Sequence, residues 1–536
     1  VRMRRAGALI GAAVAVATLV GCTASGGGGD PAHTPAAPAG LSTDPGADAG
    51  VPIAQGAVTA AIDRLPALAS SILTQTGVPG IAVGVTYQGR TVFAKGFGVR
   101  EVGKPGPVDA DTVFQLASLS KPIGATVIAD EVGKGTVAWN TPVTANLPSF
   151  ALADPYVTTH ATIADFYAHR SGLPDHAGDD LEELGYDRAE VLSRLRYLPL
   201  EPFRAQWTYT NFGITAAAQS VADAAGTDWE TLSQRDLYGP LGMTATSSRF
   251  SDYIARPDRA VPHVLVDGQY EAKYQREPDA QSPAGGVSSS VTDLTKWMAM
   301  VIDDGRYGGH EIVDGKALLP AISPQIITGP VANAETRPGQ YGYGFNVGVA
   351  ASGRTTVSHS GAFQLGAGTT FVTLPSADLG IVVLVNAAAN GTAETLAMQF
   401  LDLVQYGAPR TDWAKLYSNA FAHMDEPVGT LVGQSPPTSP VPSAPLSSFV
   451  GTYQNPYTGP ATVADTGGTL TITLGPKNTV YTLKHWTGDE FVTPLDSENA
   501  PPGSLSAITF SPPSDGRSAS FVFEYYNTEK VGTFTG

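Results

Sequence analysis

Ser118 and Lys121 stand three residues apart in FQLASLSKPIGATVIADEV, the S-x-x-K of this chain. The segment from Leu119 predicts a helix, with Pro122 in its first turn, where a missing N–H costs nothing. Positions i and i+3 share a helix face, so the hydroxyl and the amine are expected to be neighbours at a helix N-terminus. The flanking residues are apolar. A lysine buried among them sheds its proton more easily and can act as a base toward the serine. Tyr209-Thr210-Asn211 in QWTYTNFG adds a phenol that can relay a proton and an amide that can hold a lysine or a carbonyl. His359-Ser360-Gly361 in TTVSHSGAFQLGAG reads as a strand edge at which glycine lets a backbone N–H approach a developing oxyanion.

The second and third motifs have lookalikes. Tyr417-Ser418-Asn419 and Tyr453-Gln454-Asn455 also fit Y-x-N, and His176-Ala177-Gly178 fits the third pattern in what reads as a polar loop. His169 and His176 are expected in solvent rather than on a metal, with Arg170 bracing their loop. Gly98 to Lys104 begins like a phosphate-binding loop, but Pro105 stands where Ser or Thr is required, and no G-x-S-x-G elbow is found.

In their order, with 91 positions between Ser118 and Tyr209 and 150 between Tyr209 and His359, the three motifs resemble the serine β-lactamase and penicillin-binding-protein superfamily. The spacing resembles in particular its branch of class C β-lactamases, D-aminopeptidases and family VIII-type esterases, serine peptidases of the S12 kind. HRSGLP at 169–174, PAGGVSS at 283–289 and YGYG at 341–344 resemble it as well, and the likeness covers residues 58–425. The resemblance implies Ser118 as the acylated nucleophile, Lys121 as its base and Tyr209 as the proton carrier. It implies Asn211 as the group that positions Lys121 and substrate. It implies an oxyanion hole from the N–H groups of Ser118 and Ala362 beside Gly361, with His359 lining the site. No metal or organic cofactor is implied. Where β-lactamases usually carry Lys, this chain has His359, mostly uncharged at neutral pH. A small amide, a short peptide, D-amino-acid-containing peptides included, or an ester is thus the expected substrate. A β-lactamase or penicillin-binding protein with weak turnover is the first alternative. A non-catalytic envelope binding module is the alternative of another class.

The elements that must position these residues follow from periodicity. Val58, Ile62, Leu65, Leu68 and Ile72 predict a helix over 58–76. Residues 81–87 and 91–99 predict a hairpin about Gln88-Gly89-Arg90. A second strand pair, 369–374 and 380–386, turns at Pro375 to Asp378, and a helix follows over 394–406. The expected fold is α+β: a β-lactamase-like antiparallel sheet flanked by helices, with an inserted helical region, over 58–425. Pro- and Ser-rich residues 426–446 read as a linker. Residues 447–536 alternate in short β-type runs and predict a small barrel-like all-β domain that resembles a lipocalin-like appendage. There Trp486, His485, Tyr525 and Tyr526 read as core or barrel-face aromatics. A role for this domain in gating the site or in assembly is a third expectation, and the sequence leaves the oligomeric state open.

Residues 1–21 read as a lipoprotein signal peptide: Arg2, Arg4 and Arg5, an apolar run, then Leu19-Val20-Gly21-Cys22, which resembles a bacterial lipobox. Lipidation at Cys22 and a flexible tether over 22–57 place the protein in the cell envelope, anchored to the outer face of the cytoplasmic membrane. The composition narrows the remaining classes. Apolar residues are 42 % of the 536, enough for large cores. A net charge of −17 speaks against nucleic acid as a partner. A single cysteine excludes an intrachain disulfide framework and Cys-based zinc or iron–sulfur sites.

Overall fold

The computed structural model describes residues 50–536; the basic N-terminal segment, Cys22 and the expected tether up to residue 49 lie outside the described residues. Helix α1 (Ala57–Thr76) forms where Val58, Ala61, Leu65, Ala69 and Ile72 fall on one buried face. Gly77, at φ 69°, ends it by returning its N–H to Leu73 O. Strands β1 (Gly80–Tyr87) and β2 (Arg90–Gly98) make the expected hairpin. They belong to an eight-stranded sheet with β3 (Ile326–Ile327), β4 (Gln340–Tyr341), β5 (Asn346–Val349), β6 (Thr355–Phe363), β7 (Ala367–Leu374) and β8 (Leu379–Val385).

The strand order is β2-β1-β8-β7-β6-β5-β4-β3, and every pairing is antiparallel. Strand β1 thus pairs with β8, and the sequence between them is the inserted helical region. Five more helices matter here. They are α2 (Ser120–Lys134), α3 (Asp179–Glu183), α4 (Asn211–Ala224), α5 (Val291–Ile302) and α6 (Thr392–Tyr406). Helices α1 and α6 pack together and cover one face of the sheet with β1 and β8 residues such as Ile81, Val83, Ile381 and Val383. The other face carries α5 and, beyond it, α2 and α4. Both faces being covered explains why β7 and β8 are continuous apolar or small runs rather than alternating ones. Helix α2 is buried at twelve of its fifteen positions, so it has no polar face along which Lys121 could reach water.

The C-terminal segment is all-β, as its alternating pattern predicts. Its strands form a four-stranded and a five-stranded antiparallel sheet, with no closed barrel among the described residues. Phe449, Phe491, Phe510 and Phe521 fill the space between them. This core is continuous with that of the first domain. The seam between the two is also polar. Tyr457 donates to Asp180 Oδ1 at 2.5 Å, Tyr525 donates to Glu183 Oε2 at 2.8 Å, and Tyr186 donates to Thr458 O at 2.9 Å. The Pro- and Ser-rich stretch does not hang free: Leu505 N donates to Val428 O, and Leu431 packs on Trp486. Among the described residues no helix is long and apolar enough to cross a membrane.

Candidate active site

Ser118 lies in a 3-10 turn, Ala117–Leu119, that runs into α2. Ala117 has φ 48°, a left-handed conformation that costs a residue with a Cβ about 1 kcal/mol or more. The surroundings hold it there. Leu116 N donates to Val287 O, and Thr369 Oγ1 donates to Leu116 O at 2.8 Å. Ser120 Oγ donates to Ala117 O and accepts from Val287 N. Strand β6 presses against this turn at Gly361, where a Cβ would lie 2.2 Å from Leu116 O and 3.0 Å from Ser118 N. Gly361 is therefore required by a backbone-on-backbone approach. Gly361→Ala is expected to cost about 1–3 kcal/mol by overpacking and to lower activity with it. Thermal melts beside initial rates check this, and unchanged values of both would contradict the close approach.

Around Ser118 three elements converge. Lys121 Nζ donates to Ser118 Oγ at 2.9 Å, to Asn211 Oδ1 at 2.7 Å and to Ala284 O at 3.0 Å. Tyr209 OH donates to Ser118 Oγ at 2.6 Å, from the extended segment that enters α4 at Asn211. The amine also sits 4.5 Å from the centroid of the Tyr209 ring. Burial lowers Lys121 to about 7, against the opposing charge of Asp179. Burial moves the Tyr209 phenol the other way, above its usual range, so it keeps its proton. The two carbonyl oxygens at Nζ can only accept. A neutral amine gives its two N–H groups to them and turns its lone pair to the Ser118 hydroxyl. This arrangement can take a proton from Ser118 at one atom and supply one from Tyr209 at another.

His359 and Ala362 lie on β6 beside this group, and both line the same cavity as Ser118. His359 Nδ1 donates to Ser360 O at 2.6 Å, so Nε2 is the acceptor for Tyr341 OH at 2.9 Å. Burial, then the charge of Lys121, lowers His359 to about 3. It is a neutral wall residue with both nitrogens occupied, not a cation. Beneath it His169, Trp207, Tyr209 and Tyr341 form an aromatic floor with centroid separations of 4.6–6.0 Å.

The Y-x-N lookalikes sit elsewhere: Tyr417 stacks on Trp413, and Tyr453 packs on Phe521 in the C-terminal core. The loop of His169 and His176 departs from expectation. His169 is fully buried, accepting from Thr210 N at 3.1 Å, and His176 lines the cavity and donates to Asp179 Oδ2 at 2.7 Å. The turn at Gly178 (φ 91°) and packing of Leu173 and Ala177 fold the loop inward, which a count of polar residues could not reveal. Arg170 does brace it, through Asp165 Oδ1 at 2.8 Å and Gln325 O.

The cavity is about 1000 Å³ and is walled by both domains. Phe363 and Trp207 come from the first, and Pro501, Leu505, Tyr525 and Val531 from the second. Tyr525 and Tyr526 were expected only as domain aromatics, and they face this space. Asp175, Asp179, Asp180, Glu498 and Glu529 also line it. Burial pushes Asp180 and Glu498 up to about 7. Arg276, the guanidinium at the cavity, is tied to Glu182 and lies 3.9 Å from Glu498. Glu498 in turn accepts from Gln364 N and Leu365 N, just past Ala362, so the second domain pins the loop beside the expected oxyanion donor. A separate trio of carboxylates, Asp130, Glu131 and Asp236, has metal-like proximity, but Lys134 and Arg235 already supply its countercharge. Asp179, His176 and Glu498 lie outside the three motifs; only the fold brings them to the cavity that Ser118 lines.

Residues 58–405 match the family model described as Beta-lactamase, and residues 435–534 match a domain of unknown function (DUF3471). The unguisins hydrolase ungD of Aspergillus violaceofuscus is 26 % identical over 410 residues, covering 70 % of this chain and 72 % of its own. Esterase EstB of Burkholderia gladioli is 28 % identical, covering 64 % and 94 %. The D-alanyl-D-alanine-carboxypeptidase/endopeptidase AmpH of Escherichia coli is 25 % identical, covering 46 % and 63 %. Among solved structures, the octameric penicillin-binding protein homologue from Pyrococcus abyssi superposes with a TM-score of 0.59 at 20 % identity, covering 86 % of this chain and 98 % of that one, a likeness of fold.

Proposed function

The chain belongs to the beta-lactamase family, whose relatives here are named as hydrolases, esterases and carboxypeptidases, and from that premise we propose that it is a serine hydrolase that forms an acyl-enzyme on Ser118. The observation that carries this reading is the pair of contacts on Ser118 Oγ, 2.9 Å from a buried amine and 2.6 Å from a buried phenol. The proton of Ser118 passes to Lys121 Nζ as Oγ bonds to the substrate carbonyl carbon. The oxyanion is received by the N–H groups of Ser118 and Ala362. The proton then reaches the leaving nitrogen or oxygen with Tyr209 as relay, and the carbonyl reforms as that bond breaks. Water repeats the sequence on the acyl-enzyme and frees Ser118. Asn211 and Ala284 O hold the amine throughout. The lipobox-like residues ending at Cys22 support a tether to the outer face of the cytoplasmic membrane.

The substrate class is read from charge. His359 is neutral, Arg276 is engaged by carboxylates, and the cavity lining carries seven carboxyl groups, Glu426 and Glu524 among them. Among the described lining residues a substrate carboxylate therefore finds no unengaged guanidinium or ammonium, which speaks against penicillins and for a small amide, a peptide or an ester that is uncharged or cationic near the scissile bond. Nitrophenyl esters matched in size but differing in acyl charge test this. The anionic ester is expected to have a kcat/KM at least about tenfold below the neutral one, with the gap narrowing as salt rises. A preference for the anionic ester, or efficient benzylpenicillin turnover, would overturn this assignment.

A further inference from the structure

We propose that Asp179, held by His176, is a positioning residue that fixes the orientation of the Asn211 amide and thereby aims the Lys121 lone pair at Ser118. The inference rests on the acyl-enzyme reading above and extends it to two residues outside the three motifs that carry that reading. Asp179 opens α3 directly after Gly178 and is 5 % exposed. Its Oδ2 accepts from Asn211 Nδ2 at 2.8 Å and from His176 Nδ1 at 2.7 Å. The peptide N–H of His176 also donates to Tyr209 O at 2.8 Å, so the same loop anchors the phenol.

The argument is one of donors and acceptors. An asparagine amide has an NH₂ end and a carbonyl end of nearly equal shape, and its surroundings decide which points where. A carboxylate accepts only, so it commits the NH₂ end of Asn211 to Asp179. The carbonyl end is then committed to Lys121, where it and Ala284 O take up both N–H groups of a neutral amine. The lone pair is left with one direction, toward Ser118. Turned around, Asn211 would offer N–H to that lone pair and compete with the serine. His176, pushed up to about 9 by its bond to Asp179 in spite of burial, is a charged donor at neutral pH and keeps the carboxylate in place.

Other groups around this chain do not supply the same field. Burial lowers His169 and His359 into neutrality. Tyr209, which faces the amine, and Tyr457, which faces Asp180, are raised and remain phenols. Asp175 and Asp180 are raised by burial, and Arg276 is tied to Glu182. Asp179 is the charge that acts on Lys121 against burial.

The test is the rate of Ser118 labelling by a fluorophosphonate in the full chain, followed against pH for wild type, Asp179→Asn, Asn211→Ala and the double variant. Asp179→Asn is expected to slow labelling about 10–100-fold, the cost of a misdirected base. It is also expected to move the acid limb to lower pH, because a charge that raises Lys121 is gone. The double variant is expected to be no slower than Asn211→Ala, since Asp179 acts through Asn211. Additive losses, or an unshifted limb, would overturn the proposal. If Asp179→Asn does not fold, neutron diffraction from the wild type reads the amide directly: deuterons toward Asp179 support the proposal, and deuterons toward Lys121 refute it. A wild type that is not labelled at Ser118 removes the acyl-enzyme reading itself. A labelled wild type with an indifferent Asp179→Asn removes this inference alone.

Discussion

Ser118→Ala is expected to lower kcat on any accepted amide or ester by about 10⁴-fold or more, with little change in melting temperature. Oγ is the atom on which Lys121 and Tyr209 both converge. Removing it leaves the base and the relay in place with nothing to activate. Water could enter the space, but it would lack the fixed attachment that makes attack effectively intramolecular. The side chain is small, the turn around it is held by Ser120, Thr369 and Val287, and none of those bonds involves Ser118 Oγ. Steady-state rates and a thermal melt on the same preparations check both halves. A variant that retains a tenth of the activity would place the chemistry elsewhere.

Lys121→Met is expected to cost about 10²–10⁴-fold, the worth of a positioned general base, and to change the shape of the pH profile as well as its height. Burial lowers Lys121 to about 7. The amine is protonated below that value and basic above it, so acylation by the wild type rises with pH through about 7 and then levels. The phenol of Tyr209 is raised, so it adds no falling limb below about pH 10. Asp180 and Glu498 titrate in the same window as Lys121. The variant separates them: in Lys121→Met the limb belonging to the base disappears while any contribution from those carboxyls stays. A pH–rate profile of kcat/KM for the two proteins decides it. An identical limb in both would transfer the titration from Lys121 to the cavity wall.

The three motifs were legible because the chemistry they could do is written in short spacings. Ser118 and Lys121 are one helical turn apart, and an apolar flank announced a desolvated amine. Helix α1, the β1–β2 hairpin and the β7–β8 pair were legible for the same local reason, a period of 3.6 or 2 over a whole element. What sequence could not carry was nonlocal. His176 and Asp179 sit among Pro174, Asp175, Gly178 and Asp180, which read as a solvated loop, yet Leu173, Ala177 and Leu181 bury in the core and draw the carboxylate under Asn211. The C-terminal strands were legible as β, but Tyr457 meeting Asp180 and Glu498 meeting the loop after Ala362 depend on how two cores join. His359 was legible as a departure from lysine. That both its nitrogens are occupied required Tyr341 and Ser360 O to be seen beside it.

The central claim, that Ser118 is a nucleophile activated by Lys121, is tested most directly by intact-protein mass of the full chain exposed to a fluorophosphonate, beside Ser118→Ala. The account predicts one adduct on the wild type, mapped to the peptide that holds Ser118, forming faster as pH rises through about 7, and none on the variant. No adduct on a folded wild type would contradict it and leave the binding-module reading in its place, and an adduct that persists in Ser118→Ala would contradict it by placing the nucleophile elsewhere.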